Sequence, residues 1–283
     1  MGHLVADYER GVDATPDTIV RLSGFWGDCP VLSSVENRRK AFGFIEDGLG
    51  VPELTAAGRT ASYEVGMTGS CKFGTNARSG GGLLMTTGAT IDDGLIAQYG
   101  AGTGSGNFRI SDIVGESRKL WMEFAVEVSN VSINSQGFFV GLVEGLAPTS
   151  EDVILPPGPL ARLNTNRDLI GFWFQSTQPT RVDIVYQKDG QGLQTVATDL
   201  AVALNTTVRF GMLYDPLNHV AGEQIVFLVD GIRQNSFVTA ANIRSSTFPG
   251  GVLMNPTLCL KVDGNGPVTM AVPIWGCYQL RAA

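Results

Sequence analysis

The stretch Thr207–Val238, reading TVRFGMLYDPLNHVAGEQIVFLVDGIRQNSFV, constrains the fold more than any other part of the chain. Val208, Phe210, Met212 and Tyr214 alternate with other residues and share one face, and Ile225, Phe227 and Val229 do the same. Period-two alternation is the mark of strands with one buried face. The second run meets Asp230-Gly231 and resumes as Ile232 to Phe237. Asp-Gly between two strand-like runs is a favoured two-residue hairpin turn, because both central residues must reach positive φ. Residues 223–238 are therefore expected to form one antiparallel hairpin.

The same alternation recurs along the chain. Leu83–Met85, Leu95–Ala97, Lys119–Val128, Gly137–Val143, Leu169–Phe174, Arg181–Gln187, Leu193–Ala197, Leu258–Val262 and Val268–Ile274 all read as short strands. The 36 glycines and 13 prolines fall between these runs without a three-residue period, as turn residues do. No alternating βαβ pattern and no repeat of 20–50 residues is visible, which argues against a doubly wound sheet, a propeller and a solenoid. The expectation is an all-β antiparallel sandwich, a jelly roll, over residues 61–283.

Residues 1–60 read differently. Residues 1–30 carry Ile19, Leu22, Phe25 and Trp26 without a period that would fold them together, and suggest an extended arm. Ser33-Ser34-Val35-Glu36 has the spacing of a capping box, so one short helix is expected over 33–47, ended by Gly48 and Gly50. The segment Pro148–Arg167, with Leu155-Pro156-Pro157-Gly158-Pro159, is too long for a hairpin connection; it is either a lid over the sheet or, as favoured here, a contact loop.

Composition narrows the function classes. Twenty basic against 27 acidic residues give a net charge of −7, which argues against bulk binding of nucleic acid or anionic membranes. Apolar runs fall far short of the roughly 20 residues that span a bilayer. Cys29, Cys71, Cys259 and Cys277 show no CxxC pair, and His3 and His219 are the only histidines, so no zinc or other metal site and no cofactor is expected. The cysteines are expected to be reduced and buried. The first residues lack a basic stretch followed by an apolar one, so synthesis in the cytoplasm without a signal peptide is expected.

Two stretches invite a chemical reading. Gly100-Ala101-Gly102-Thr103-Gly104-Ser105-Gly106 is glycine-rich, yet matches neither phosphate-binding spacing and opens no helix, so a surface loop is expected. Along Leu120–Val128 alternation places Trp121, Glu123, Ala125 and Glu127 on one face. An aromatic and two carboxylates there are a candidate glycan contact: Trp121, Glu123 and Glu127. Retaining glycosidases need two carboxylates about 5 Å apart. The jelly-roll glucanase pattern places a third acid between two glutamates; here that position is Ala125, so no catalytic residue is expected. Trp26, Trp121, Trp173, Trp275, Phe172 and Tyr278 can supply a sugar-stacking platform or core anchors.

Glu223-Gln224-Ile225-Val226-Phe227-Leu228-Val229-Asp230-Gly231-Ile232-Arg233 resembles the late strand and hairpin of concanavalin A-like lectin/glucanase and laminin-G-like jelly rolls. The succession Gly81–Ala89, Leu120–Val128 and Gly137–Leu142 is also similar to jelly-roll structural proteins of tailed bacteriophages. That resemblance covers residues 63–280 and implies a non-enzymatic virion protein, decorating or cementing a capsid surface through its arm and loops. It further implies a homo-oligomer, a trimer by preference, with the major capsid or another virion protein as partner. The alternative is a carbohydrate-binding module for a host-surface glycan, or a degenerate glycoside hydrolase built on Glu123 and Glu127. Jelly rolls host all three, so the fold does not choose among them.

Overall fold

The computed structural model describes residues 26, 29, 41–46, 54–55, 57–59, 63–75, 82–100, 106–113, 116–129, 136–145, 153–155, 162–174, 180–202, 205–217, 222–262 and 266–281. Nineteen strands and one short helix occur among them. In chain order, β1 is Ala41–Glu46, β2 Gly58–Arg59, β3 Tyr63–Thr68, β4 Lys72–Thr75, β5 Leu83–Thr86, β6 Gly94–Tyr99 and β7 Phe108–Arg109. The middle of the chain gives β8 Leu120–Ser129, β9 Gln136–Glu144, β10 Ile154–Leu155, β11 Arg162–Leu163, β12 Leu169–Phe174, β13 Arg181–Gln187 and β14 Gln194–Ala201. The last third gives β15 Val208–Tyr214, β16 Glu223–Val229, β17 Ile232–Thr239, α1 Ala240–Ile243, β18 Leu253–Val262 and β19 Thr269–Leu280.

Two antiparallel sheets stack into a jelly-roll sandwich. One runs β17-β16-β15-β8-β19-β5-β4, with β1 also paired to β19; the other runs β14-β13-β12-β9-β18-β6-β3-β2, with β7 on β18. Alternation decides what goes between them. Leu120, Met122, Phe124, Val126 and Val128 of β8 meet Phe138, Val140 and Leu142 of β9 and Ile170, Phe172 and Phe174 of β12 in one continuous core. The expected hairpin is present as β16 and β17, with Asp230 at φ 50° and Gly231 at φ 74°, the pair of positive values that its turn demands.

The expected helix over 33–47 is not what residues 41–46 form. They make β1, in register with β19 from Ala41 opposite Leu280 to Glu46 opposite Trp275. Phe42 and Phe44 share a face at period two, while Phe42 and Ile45 stand three apart as on a helix, and short apolar runs fit both templates. The tertiary gain settles it: Phe44 stacks on Tyr99 and meets Trp275 edge-on at 5.2 Å. The Ser33–Glu36 capping motif lies outside the described residues. A capping box does occur at α1, where Thr239 accepts from the Asn242 N–H and Asn242 accepts from the Thr239 N–H. Since β1 and β2 belong to the sheets, the sandwich begins ahead of the expected boundary at residue 61.

The Pro148–Arg167 segment is described only at 153–155 and 162–167, and its favoured role as a contact loop falls largely on residues outside these. The described residues cover a sheet, as the lid alternative expects. Val153, Ile154 and Leu163 are buried against Ile96, Phe139, Trp173 and Cys259 on the outer face of the second sheet. Lys261, 2% exposed, donates from Nζ to the Ile154 carbonyl at 3.4 Å, with Asp92 3.8 Å away. Residues 156–161 lie outside the described residues. Of the four cysteines, Cys71, Cys259 and Cys277 are buried and Cys29 is partly so.

At one end of the second sheet, carboxylates gather where β9 ends and β12 begins. Asp168 accepts from the Asp189 N–H at 3.1 Å, and Glu144 pairs with Arg167 at 3.2 Å. Burial pushes both the Asp168 and the Glu144 carboxyls above their usual range. Asp168 thus holds its proton more tightly folded than unfolded, so its ionisation costs stability as pH rises through that range. Asp168→Asn keeps an acceptor for the Asp189 N–H and removes the charge. Its melting temperature is expected to exceed that of the natural chain at pH 7.5, with the gap closing below about pH 4, the unfolded Asp range. Parallel melting curves across this interval would count against the assignment.

Candidate functional site

The face of the first sheet that points away from the core holds the residues singled out on β8. Register arranges them in rows across the strands. In one row Tyr278 of β19, Trp121 of β8 and Leu213 of β15 lie side by side. In the next, Glu123 stands between Gly276 of β19 and Gly211 of β15. A third row pairs Ala125 with Arg209. Glycine on both sides of Glu123 leaves its row without flanking side chains on β15 and β19, so the carboxylate rises from a shallow trough bounded by Trp121 and Tyr278 on one side, Arg209 on the other and Ile45 of β1 over Gly276.

Trp26 fills this trough. Its indole Nε1 donates to Glu123 Oε2 at 2.6 Å, and Arg209 pairs with Oε1 of the same carboxylate at 2.8 Å. The Trp26 ring meets Tyr278 edge-on, centroids 6.0 Å apart at 89°. Cys29, whose N–H donates to the Trp26 carbonyl at 2.9 Å, packs on the same cluster with Ile45, Leu213, Leu228 and Leu280. Arg209 is itself fixed: its N–H donates to Asp230 Oδ1 at 2.8 Å, and the Asp230 N–H returns to the Arg209 carbonyl. Lys119 lies 5.4 Å from the centre of the Trp121 ring and pairs with Asp215 at 2.8 Å. The Glu123 side chain is 10% exposed and that of Arg209 39%, so the ion pair opens to solvent on the arginine side.

The expected glycan contacts are therefore only partly assembled. Trp121 is 1% exposed beneath Trp26 and offers no open face for stacking. Glu127 shares the face of Glu123, but four residues along an extended strand set their Cα atoms about 13 Å apart. Both Glu123 oxygens are engaged, Oε2 by the Trp26 N–H and Oε1 by Arg209. Of the six aromatics considered as a platform, only Trp26, Trp121 and Tyr278 come together; Trp275 and Phe172 sit in the inter-sheet core and Trp173 lies against Ile154 and Leu163. Sequence reasoning missed both Arg209 and the docking of Trp26. The only local signal for either was that Arg209 faces away from Val208 and Phe210.

Residues 101–105 of the glycine-rich loop, His3 and His219 lie outside the described residues. Among the described residues no group of three or more His, Cys, Asp or Glu could hold a metal ion, and no helix is long and apolar enough to cross a membrane.

No protein-family model matches this sequence, and no curated protein does. Solved structures do match in fold. The carbohydrate recognition domain of Emp46p in its potassium-bound form superposes with a TM-score of 0.53 at 9% identity, covering 83% of this chain and 98% of that domain. A structure from work on endo-acting O-glycanases of the human gut microbiota, which initiate mucin breakdown, gives 0.51 at 12% identity, covering 84% and 99%. A Shewanella oneidensis protein of unknown function gives 0.51 at 11%, covering 95% and 98%. The fold is the concanavalin A-like jelly roll. These neighbours lend no support to a virion role. The arm expected to reach a neighbouring subunit also places Trp26 on its own sheet.

Proposed function

We propose that this chain is a carbohydrate-recognition module that binds without turnover, using the outer face of the first sheet around Glu123. The observation that carries it is the Glu123–Arg209 pair set between two glycines and beside Trp121 and Tyr278. A sugar ring offers hydroxyls that need an acceptor and a donor side by side, and C–H faces that pack on aromatic rings. Arg209, open to solvent at the rim, supplies the donor, Glu123 behind it the charge that orients it, and the edge of the docked Trp26 with Tyr278 the apolar wall. The likeness to a carbohydrate recognition domain supports the reading at the level of fold. Binding without hydrolysis follows from Ala125 in the middle position and from the commitment of both Glu123 oxygens.

The test is a glycan array probed with the full chain, followed by calorimetry on the strongest hit. Glu123→Gln and Arg209→Met, checked for folding by circular dichroism, are expected to weaken binding at least tenfold, because each leaves a desolvated polar partner unmatched. Equal affinity in all three proteins would move the site elsewhere, and an array without hits would sink the reading.

A further inference from the structure

We infer that the site takes uncharged glycans and rejects acidic ones, and that Glu123 and Asp230 set this preference. The inference rests on the carbohydrate-binding reading of the same face and names the class of sugar it accepts. An arginine at a binding rim ordinarily favours carboxylate, sulfate and phosphate groups, because its planar fork matches two oxygens at once. Arg209 has its charge already matched. Its Nη2 lies 2.8 Å from Glu123 Oε1, and the other Glu123 oxygen takes the Trp26 N–H at 2.6 Å, so the carboxylate is fixed beside its cation. The Glu123 side chain is nearly buried, whereas that of Arg209 reaches solvent. An acidic sugar could recruit the guanidinium only by drawing it off this carboxylate, and an ion left unpaired in such a place is strongly unfavourable. A hydroxyl, which accepts from the exposed N–H groups without bringing charge, leaves the pair intact.

Asp230 adds to the bias. It follows Val229, whose partner across the β15–β16 ladder is Phe210, and so stands beside Arg209. Its Oδ1 accepts the Arg209 N–H at 2.8 Å and its own N–H returns to the Arg209 carbonyl, which holds this exposed carboxylate at the rim. Among the described residues no cation pairs with Asp230, while Lys119, over the Trp121 ring, is matched by Asp215 and Arg233 of β17 by Glu223. Arg209 thus stands between two carboxylates, and the three groups together are net negative. Discrimination of this kind needs a repulsive element as well as an attractive one, and Asp230 supplies it. A like charge about 7 Å away across water weakens binding about threefold.

The experiment reads a ratio of affinities on an array whose glycans are each present in neutral form and in sialylated or sulfated form, with dissociation constants measured for the best pair. The natural chain is expected to bind the neutral member at least about tenfold more tightly. Glu123→Gln keeps an acceptor for the Trp26 N–H and releases the arginine, so the neutral member weakens and the acidic one gains about tenfold, reversing the preference. Asp230→Asn keeps the hairpin, since Asn-Gly fills the same turn, and keeps an acceptor for the Arg209 N–H. It is expected to shift the ratio about threefold towards the acidic member. The acidic binding gained by Glu123→Gln should fall as sodium chloride rises from about 50 to about 500 mM while the neutral binding of the natural chain stays level, a pattern that loss of structure does not produce. If Glu123→Gln does not fold, Asp230→Asn decides alone. Acidic glycans as the strongest hits of the natural chain, or a ratio that stays put in the folded variants, overturns the selection and leaves the glycan site standing. An array on which the natural chain finds no ligand overturns the glycan reading and the selection with it.

Discussion

Replacing Trp275 by alanine is expected to lower the free energy of unfolding by about 3–5 kcal/mol, the range for truncating a fully buried aromatic. Trp275 is inaccessible to solvent and stands at the centre of the aromatic cluster that joins the two sheets. Tyr63 of β3 stacks on it at 5.3 Å, Phe44 of β1 meets it edge-on at 5.2 Å, and Phe124 of β8 lies 5.7 Å away. Its indole N–H donates to the Tyr63 hydroxyl at 3.4 Å. Alanine here leaves a cavity that strands from both sheets border, and neither sheet can close on it without breaking its own ladder. Against a total stability of about 5–15 kcal/mol, the loss brings the chain near its unfolding threshold. Urea unfolding should show a lower midpoint with an unchanged slope. A loss below about 1 kcal/mol would mean that Trp275 is not packed as described.

Gly171→Ala is expected to destabilise by about 3 kcal/mol, towards the upper end of the range for overpacking. Local propensity predicts the opposite sign, since glycine inside a strand is usually worse than alanine by about 0.5–1 kcal/mol. The neighbours reverse it. Gly171 of β12 faces Gly141 of β9 in register, and a methyl group at 171 would fall 2.4 Å from the Val140 carbonyl oxygen and 2.7 Å from the Gly141 Cα. Those are backbone atoms of the adjoining strand and cannot swing aside. The tip of the Phe139 ring, 2.9 Å from the same point, fills the space the two glycines leave. Gly141→Ala meets the Ile170 carbonyl oxygen at 2.3 Å and should behave alike, the two together costing less than their sum because one separation of β9 from β12 serves both. A Gly171→Ala protein as stable as the original would show that the two strands have room the structure denies them.

These glycines mark the limit of what periodicity reveals. Gly171 stands in the apolar run Leu169–Phe174, where its lack of a side chain looks incidental until β9 is laid beside it. The strands themselves were legible. Leu120–Val128, Gly137–Val143, Arg181–Gln187 and the hairpin about Asp230-Gly231 form β8, β9, β13 and β16–β17 within a residue or two, because period-two burial is written within each segment. The inner and outer faces of β8 were legible too, so Trp121, Glu123 and Glu127 do share a face.

What the alternation could not supply was partners. Residues 41–46 become β1 because β19 offers a ladder and Tyr99 and Trp275 offer rings, all of them distant in sequence, whereas the helix expected there rested on local spacing alone. Trp121 looked available because the residue that covers it, Trp26, lies in a segment without a period of its own. Glu123 looked like one of two carboxylates, and only the register with β15 and β19 shows it between Gly211 and Gly276 with Arg209 at hand. The sequence determined that this chain is an antiparallel sandwich and which side chains of its long strands point inward, since both follow from alternation over a few residues. The site was decided only by the tertiary structure, since Trp26, Glu123, Arg209 and Gly276 meet across as many as 250 residues of chain through strand pairings that no local pattern encodes.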